Sequence, residues 1–127
     1  MDEEVLKPPT QSFVLILSAD ATIAALLGAL VELEGYEPIF PRVDETADVA
    51  LTRLRARVSV VDGNFASALS DVFYAHARML DARVILFSPT PLPHHVRDIS
   101  ERFGFEVLTL PLDRLQVSRT LTEAMAR

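Results

Sequence analysis

Five short apolar runs recur along the chain, each followed by turn residues and an amphipathic segment, and this alternation constrains the fold most. The runs are Phe13–Leu17, Ile39–Val43, Val58–Asn64, Arg83–Phe87 and Phe105–Leu110. Runs this short, bounded by turn residues, are typical of strands buried on both faces. Because parallel strands need right-handed crossovers, the pattern predicts an α/β fold, a doubly wound five-stranded parallel sheet with helices on both faces.

The segments between the runs predict five helices. Asp20 is expected to cap the first helix, which ends near Glu34 before Gly35, and Asp44 or Glu45 the second. The third is expected over Phe65–Ala82, the fourth from about Pro93 to Phe103, and the fifth over Asp113–Ala126. The expected inward residues are Ile23, Leu26, Leu27, Leu30, Leu33, Val49, Leu51, Leu54, Leu69, Val72, Phe73, His76, Leu80, Leu115, Leu121 and Met125.

Composition excludes several classes of function. The 127 residues suit one domain, with residues 1–11 expected as a flexible tail and 12–127 as the folded unit. No cysteine is present, which excludes disulfides and thiolate sites, and the net charge of -6 argues against a nucleic-acid partner. No apolar stretch reaches the ~18 residues of a membrane span, and the acidic start is unlike a signal peptide. A cytoplasmic location is expected.

The central run ends on a carboxylate, Asp62. In parallel α/β sheets the functional crevice lies beyond the carboxyl ends of the strands. Asp62 is therefore the first candidate for a functional side chain. The structural alternative is a strand-end carboxylate that accepts hydrogen bonds from backbone N–H groups of its own turn.

An ordered set of landmarks resembles the receiver domain of bacterial response regulators, over roughly residues 12–125. The landmarks are Leu17-Ser18-Ala19-Asp20, Leu33-Glu34-Gly35-Tyr36-Glu37, Val61-Asp62, a strand ending at Ser88, and a strand ending before Pro111. The resemblance implies the strand order 2-1-3-4-5. It also implies that Asp62 occupies the phosphate-accepting position and that Ser88 occupies the Ser/Thr switch position.

The metal-binding part of the receiver site departs from the family pattern. The first strand of a receiver ends in two acids that help to hold Mg²⁺, and those positions are Ser18 and Ala19 here. Only Asp20 is near. Because Mg²⁺ requires oxygen ligands in strict octahedral geometry, Asp62 with a displaced Asp20 is a poor set. No cofactor is expected, and Mg²⁺ enters only if Asp62 is an atypical phosphoacceptor.

The phosphoryl-binding part departs as well. Leu110 stands where the family has a lysine, and Lys7 is the only lysine in the chain. Pro89 replaces a residue whose backbone N–H helps to bind phosphoryl oxygens, and proline has no N–H. Val107 occupies the aromatic switch position. The sequence thus predicts a degenerate receiver, or pseudo-receiver, with no enzymatic activity.

The fourth and fifth helices carry charges of both signs, and receivers often dimerise through this region. The expected interaction face comprises Arg97, Asp98, Glu101, Arg102, Arg114 and Arg119. A mixed-charge surface suits a signalling protein partner or an isologous homodimer. The structural alternative is a solvated face with pairs such as Asp98–Arg102.

Three functions remain open on the sequence. The first is a two-component-type signalling domain that acts as a phosphorylation-independent interaction or dimerisation module. The second is an atypical phosphoreceiver in a phosphorelay that uses Asp62. The third is a small-ligand domain that uses the crevice between Ser18, Asp62 and Ser88.

Several of these residues also suit purely structural roles. A Ser before Pro, as at Ser88, is commonly a turn residue, and Ser18 and Asp20 suit helix capping. The adjacent His94 and His95 would point in different directions on a helix and so would not share a metal ion. His76 is expected to be packed or partly exposed.

Overall fold

The computed structural model describes residues 13–66, 71–88, 92–109 and 113–126. The predicted tail, Leu69, Pro89 and Leu110 lie outside the described residues. The strands are β1 (Phe13–Leu17), β2 (Glu37–Ile39), β3 (Val58–Asp62), β4 (Arg83–Ser88) and β5 (Glu106–Thr109). The helices are α1 (Ala21–Leu33), α2 (Ala47–Leu54), α3 (Gly63–Ala66), α4 (Asp71–Met79), α5 (His94–Phe103) and α6 (Arg114–Met125).

The five strands form one parallel sheet in the order β2-β1-β3-β4-β5, which confirms the predicted fold. β3 lies in the middle of the sheet, and all five of its residues are buried. Leu17 aligns with Val61, and Asp62 aligns with Phe87. The carboxyl ends of β1, β3 and β4 therefore meet at one edge.

Two apolar layers cover the sheet. On one face, Leu17, Val61 and Leu86 pack with residues of α2, α4 and α5. On the other face, Ile16, Val60 and Phe87 pack with residues of α1 and α6. The alternation of side chains along each strand sends successive residues to opposite layers. The central strands β1, β3 and β4 are therefore largely apolar, with few polar residues between their ends.

The helix ends follow local chemistry. Asp20 caps α1, and Gly35 after it has φ +90°, a conformation that favours glycine. Asp113 caps α6 as predicted. The cap of α2 is Thr46, whose hydroxyl accepts from the Val49 N–H, so the prediction of Asp44 or Glu45 is wrong. The Glu45 carboxylate instead accepts hydrogen bonds from the Arg53 side chain and from the Arg42 N–H.

Two predicted elements have different bounds. β2 covers Glu37–Ile39, not Ile39–Val43, because a turn closed by the Glu45 N–H on the Arg42 carbonyl follows it. Its position at the sheet edge agrees with Pro38, which lacks an N–H for a second neighbour. Within the predicted third helix the structure describes α3 and α4 as helical, and residues 67–70 between them lie outside the described residues.

Several predicted inward residues face solvent instead. These are Leu26, Leu33, Val49, Val72, Leu80 and Leu115. Other residues of the same helices are buried in their place, among them Gly28, Val31, Ala47, Ala50, Tyr74 and Ala77. The spacing of large apolar residues therefore did not identify the buried face of these helices. Among the described residues, no helix is long and apolar enough to cross a membrane.

Candidate functional site at the carboxyl edge of the sheet

Three polar side chains meet where adjacent strands end. Asp62 is the last residue of β3, Ser88 is the last residue of β4, and Ser18 follows β1. Asp62 is 5% exposed and Ser88 is 0% exposed. Burial of polar groups costs free energy unless partners satisfy them. The contacts of these three residues therefore define what the edge can do.

Ser18 bonds directly to Asp62. Its Oγ donates a hydrogen bond of 2.8 Å to Asp62 Oδ2 and accepts one of 3.1 Å from the Asp20 N–H. Hydrogen bonds to an ionised acceptor are stronger than those between neutral groups. The hydroxyl therefore ties the end of β1 to the end of β3 and satisfies one carboxylate oxygen.

Asp20 serves the first helix. Its Oδ1 accepts hydrogen bonds from the N–H groups of Thr22, at 2.9 Å, and Ile23, at 3.2 Å. These are two of the donors that a helix start leaves unpaired. The capping role expected for Asp20 is confirmed, and one of its oxygens is committed to the helix.

Ser88 is a strand residue rather than a turn residue. Its Oγ has no hydrogen-bond partner among the described residues. Gly63 lies close to Ser88. A Cβ added at Gly63 would lie 3.1 Å from Ser88 Oγ and 3.1 Å from the Phe87 carbonyl oxygen. The backbone after Asp62 thus runs directly against the end of β4.

The start of α5 also packs against Gly63, which the sequence did not predict. A Cβ at Gly63 would lie 3.0 Å from Val96 Cγ2, and Val96 is fully buried. His95 Nε2 lies 3.3 Å from the Gly63 carbonyl oxygen. A glycine directly after a strand-end acid was the available signal, because such a glycine often marks close approach of another segment.

The histidines do not share a ligand. His94 Nε2 lies 3.4 Å from Asp98 Oδ2, whereas His95 faces Gly63. His76 is half-buried, with Nδ1 3.1 Å from Asp48 Oδ1. Within the part of the chain that the structure describes, no group of three or more His, Asp or Glu side chains could hold a metal ion.

A groove of about 290 Å³ lies at the opposite edge of the sheet, where β4 and β5 begin. Arg78, Arg83, Phe103 and Glu106 are among the residues that line it. The groove therefore lies at the other end of the strands from Ser18, Asp62 and Ser88.

Structural comparison identifies the fold. The receiver domain of a modulated diguanylate cyclase from Desulfovibrio desulfuricans is 23% identical, with a TM-score of 0.72 over 90% of this chain and 93% of that chain. The beryllofluoride-activated NtrC4 receiver domain dimer is 21% identical, with a TM-score of 0.66 over 91% of this chain and 97% of that chain. The chain has the receiver-domain fold.

A putative pilus assembly-related protein from Burkholderia pseudomallei is similar as well. It is 22% identical, with a TM-score of 0.67 over 94% of this chain and 92% of that chain. No family model matches the sequence, and no curated protein matches it. At these identities the likeness establishes the fold and not the activity.

Among the residues that the structure describes, the carboxyl edge offers a poor set of oxygen ligands for Mg²⁺. The ion needs several oxygen ligands around one point. Asp62 gives one carboxylate oxygen to the Ser18 hydroxyl, and Asp20 gives one to its own helix. Ala19 has no oxygen to offer in its side chain.

Val107, which the sequence predicts at the switch position, lies on β5 opposite Leu86. It is half-buried and packs against the core layer that contains Leu86 and Val96. Its methyl groups carry no hydrogen-bonding atom. Pro89 and Leu110 lie outside the described residues, so their expected roles stay predictions.

The helices α5 and α6 lie on opposite faces of the sheet beside the edge strand β5. The predicted interaction face is therefore the β5 edge of the receiver fold, flanked by these helices. Two of its arginines are already engaged elsewhere. Arg102 contacts Asp71 of α4 at 2.8 Å, and Arg114 contacts Glu34 at 3.4 Å.

The remaining charges of this face stay exposed. Asp98 pairs with His94, so the predicted Asp98–Arg102 pair is wrong. Arg97, Glu101 and Arg119 have no ion pair among the described residues. Exposed charges of both signs are available to a partner surface.

Proposed function

We propose that this chain is a receiver-like signalling module of the two-component type that binds a protein partner without being phosphorylated. The observation that carries the proposal is the hydrogen bond from Ser18 Oγ to Asp62 Oδ2. It places a neutral hydroxyl where the receiver pattern has an acid. Asp62 thereby serves as a structural acceptor, and no enzymatic step is assigned to the domain.

The electrostatics of phosphoryl transfer support this proposal. Transfer depends mainly on positioning and on stabilising the charge of the equatorial oxygens. Loss of one oxyanion donor alone typically costs ~10²–10³ in rate. Ser18, Ala19, Pro89 and Leu110 stand at the positions of an acid pair, an N–H donor and an ammonium. Although such losses are not additive, together they leave little to stabilise a phosphoryl group at Asp62.

The packing around Gly63 supports it further. The start of α5 contacts the segment after Asp62 through Val96 and His95. A phosphoryl group on Asp62 would need space and donors at this edge. The close contacts at Gly63 instead favour one fixed arrangement of α5 and a constant partner surface.

The partner surface is the β5 edge with α5 and α6. Arg97, Glu101 and Arg119 offer exposed charges there that no described residue pairs with, and mixed signs favour a specific orientation of the partner. An isologous homodimer through the same surface is the second use that the sequence predicts. Arg97→Glu and Arg119→Glu would weaken either complex.

Exposure to acetyl phosphate with Mg²⁺, followed by intact-mass spectrometry, tests the proposal. The expected result is no phosphoryl adduct on the wild type, as for the matched control Asp62→Asn. A receiver that retains the acid pair and the lysine serves as the positive control. An adduct that forms on the wild type and is absent from Asp62→Asn would establish the atypical phosphoreceiver instead.

A small-ligand role for the crevice between Ser18, Asp62 and Ser88 is the third function. The Ser88 hydroxyl, which has no hydrogen-bond partner within the described ranges, favours it, whereas the tight contacts of Gly63 oppose it. A ligand of the native state must raise its stability. Thermal-shift measurements with nucleotides and metabolites test this role, and stabilisation that Ser88→Ala abolishes would support it against the interaction module.

A further inference from the structure

The groove of about 290 Å³ at the start of β4 and β5 has an apolar floor and a charged rim. Apolar residues of both strands and of the turn before β5 line it, among them Val84, Ile85 and Phe105. The charged residues that line it are Arg78, Asp81, Arg83, Glu106 and Glu123. This set is called the β4–β5 groove below. Polar groups that converge on a concave apolar site are typical of ligand sites.

Opposite charges in the β4–β5 groove do not pair with each other. Glu106 aligns with Ile85, and Arg83 is two residues before Ile85 on the same face of the sheet. The two residues are therefore about 8 Å apart in the backbone, which an arginine side chain can reach. Yet Arg83, Glu106 and Glu123 form no ion pair with any residue in the described ranges. They are available to a ligand that carries both signs of charge.

Arg78 is placed differently from Arg83. Its Nη2 donates a hydrogen bond of 3.2 Å to the carbonyl oxygen of Phe103, the last residue of α5. This bond satisfies one of the carbonyl groups that a helix end leaves unpaired. Arg78 thus serves the helix end, and Arg83 is the arginine that can bind an anionic group of a ligand.

The β4–β5 groove favours a ligand with a net positive charge. Three acids and two arginines line it, which is an excess of one negative charge. In addition, α4 and α5 end beside it, at Met79 and Phe103. The carboxyl end of a helix carries a partial negative charge that stabilises cations. The ligand expected here has one anionic group and two cationic groups.

The size of the groove limits the ligand further. Its volume of about 290 Å³ lies at the low end of the range for small-molecule sites, which suits a ligand of the size of one amino acid. The apolar floor suits a methylene stem, because such stems pack on apolar surface while their charged ends stay in water.

We propose that the β4–β5 groove binds a free basic amino acid, arginine or lysine. Arg83 binds its α-carboxylate, and the carboxylates of Glu106 and Glu123 bind its two cationic groups. Ion pairs at an exposed rim are weak, so the expected Kd is on the order of 1 mM and rises with ionic strength. The groove lies at the other end of the strands from Asp62, so the proposal goes beyond the function proposed above and does not depend on it.

Titration of the full chain with arginine and with lysine, followed by two-dimensional amide NMR, tests the proposal. We expect saturable changes at residues 83–85, 104–106 and 120–124. Agmatine lacks the α-carboxylate and norleucine lacks the side-chain cation, so each should bind about tenfold more weakly than arginine or lysine.

Variants assign the roles of the charged residues. Arg83→Gln should weaken arginine binding about tenfold and should not weaken agmatine binding, whereas Glu106→Gln should weaken both. Glu32→Gln and Arg55→Gln are the matched controls, because they remove the same charges from exposed residues outside the groove. Both controls should bind arginine as the wild type does.

Three results would overturn the proposal. The first is an absence of saturable changes up to about ten times the expected Kd. The second is arginine binding that Arg83→Gln and Glu106→Gln leave unchanged. The third is tighter binding of a basic peptide with blocked ends than of free arginine, which would assign the groove to a segment of a protein partner instead.

Discussion

Ser18 Oγ and Asp62 Oδ2 are joined by a hydrogen bond of 2.8 Å although the two residues are 44 positions apart in the chain. The bond connects β1 to β3 at the edge where the receiver pattern has acids around a metal ion. Asp62 is almost fully buried, so the bond has little competition from water. The same pair of residues thus stabilises the edge and leaves one carboxylate oxygen fewer for other ligands.

Removal of the Ser18 hydroxyl is expected to destabilise the fold. Ser18→Ala should lower the free energy of unfolding by about 1–2 kcal/mol, because a buried carboxylate loses a charge-assisted partner. Urea denaturation measures the change. A double-mutant cycle with Asp62→Asn should show coupling between the two residues. Additive effects would mean that the bond contributes nothing.

Gly63→Ala is expected to be destabilising. The new Cβ would lie 3.0 Å from Val96 Cγ2 and 3.1 Å from a backbone oxygen of β4, which cannot move aside cheaply. Overpacking of this kind costs about 1–3 kcal/mol. Chemical denaturation of Gly63→Ala, Val96→Ala and the double variant should show that Val96→Ala relieves part of the cost.

Gly28→Ala provides the control for that change. Its nearest neighbour is the ring end of Phe40, a half-exposed side chain that can move. Alanine in a helix interior is favoured over glycine by about 0.5–1 kcal/mol. We expect Gly28→Ala to be neutral or stabilising in the same assay. Equal losses at both glycines would contradict the close contact assigned to Gly63.

Glu45 is expected to contribute to stability in acid. The Arg53 side chain, and then the Arg42 N–H, lower the pKa of Glu45 from 4.5 to about 2. Since the folded-state pKa lies below the unfolded value, this contribution is complete above pH 4.5 and is lost as the pH falls to about 2. The free energy of unfolding of Glu45→Gln should therefore depend less on pH across this window than that of the wild type. The difference in free energy of unfolding between the two proteins should become smaller as the pH falls. A constant difference would contradict the shift.

Tyr74 is expected to ionise late. Burial, with a smaller effect of the Asp71 carboxylate, raises the pKa of Tyr74 from 10.0 to about 12. Because the folded state keeps the phenol protonated, this contribution to stability is complete below pH 10 and is lost toward pH 12. Ultraviolet titration of the native protein should show a phenol that ionises near pH 12 and is missing in Tyr74→Phe. A Tyr74→Phe curve identical to that of the wild type would contradict the prediction.

The sheet could be predicted from the sequence because its strands are buried on both faces. The predicted strands Phe13–Leu17 and Arg83–Phe87 are apolar apart from Arg83, and β1 and β4 match them within one residue. The caps at Asp20 and Asp113 follow from local hydrogen bonding. Such signals arise from residues that are close together in the chain, so they can be recognised in a single sequence.

The inward faces of the helices and the contacts of the site could not be predicted in the same way. Val72 is exposed while Tyr74 is buried, because the rotation of α4 is set by packing against the sheet. The approach of Val96 to Gly63 depends on where α5 begins after β4. The residues at the strand ends were predicted, whereas the bond of Ser18 to Asp62 requires the register of β1 against β3.

The most direct test of the central claim is a two-dimensional amide NMR spectrum recorded before and after addition of beryllofluoride with Mg²⁺. If Asp62 is a structural acceptor, the amide signals of Asp62, Gly63 and Ser88 stay unchanged, and the signals of α5 do too. Changes centred on Asp62 that extend to α5, and that are lost in Asp62→Asn, would show a working phosphoreceiver and would contradict the account.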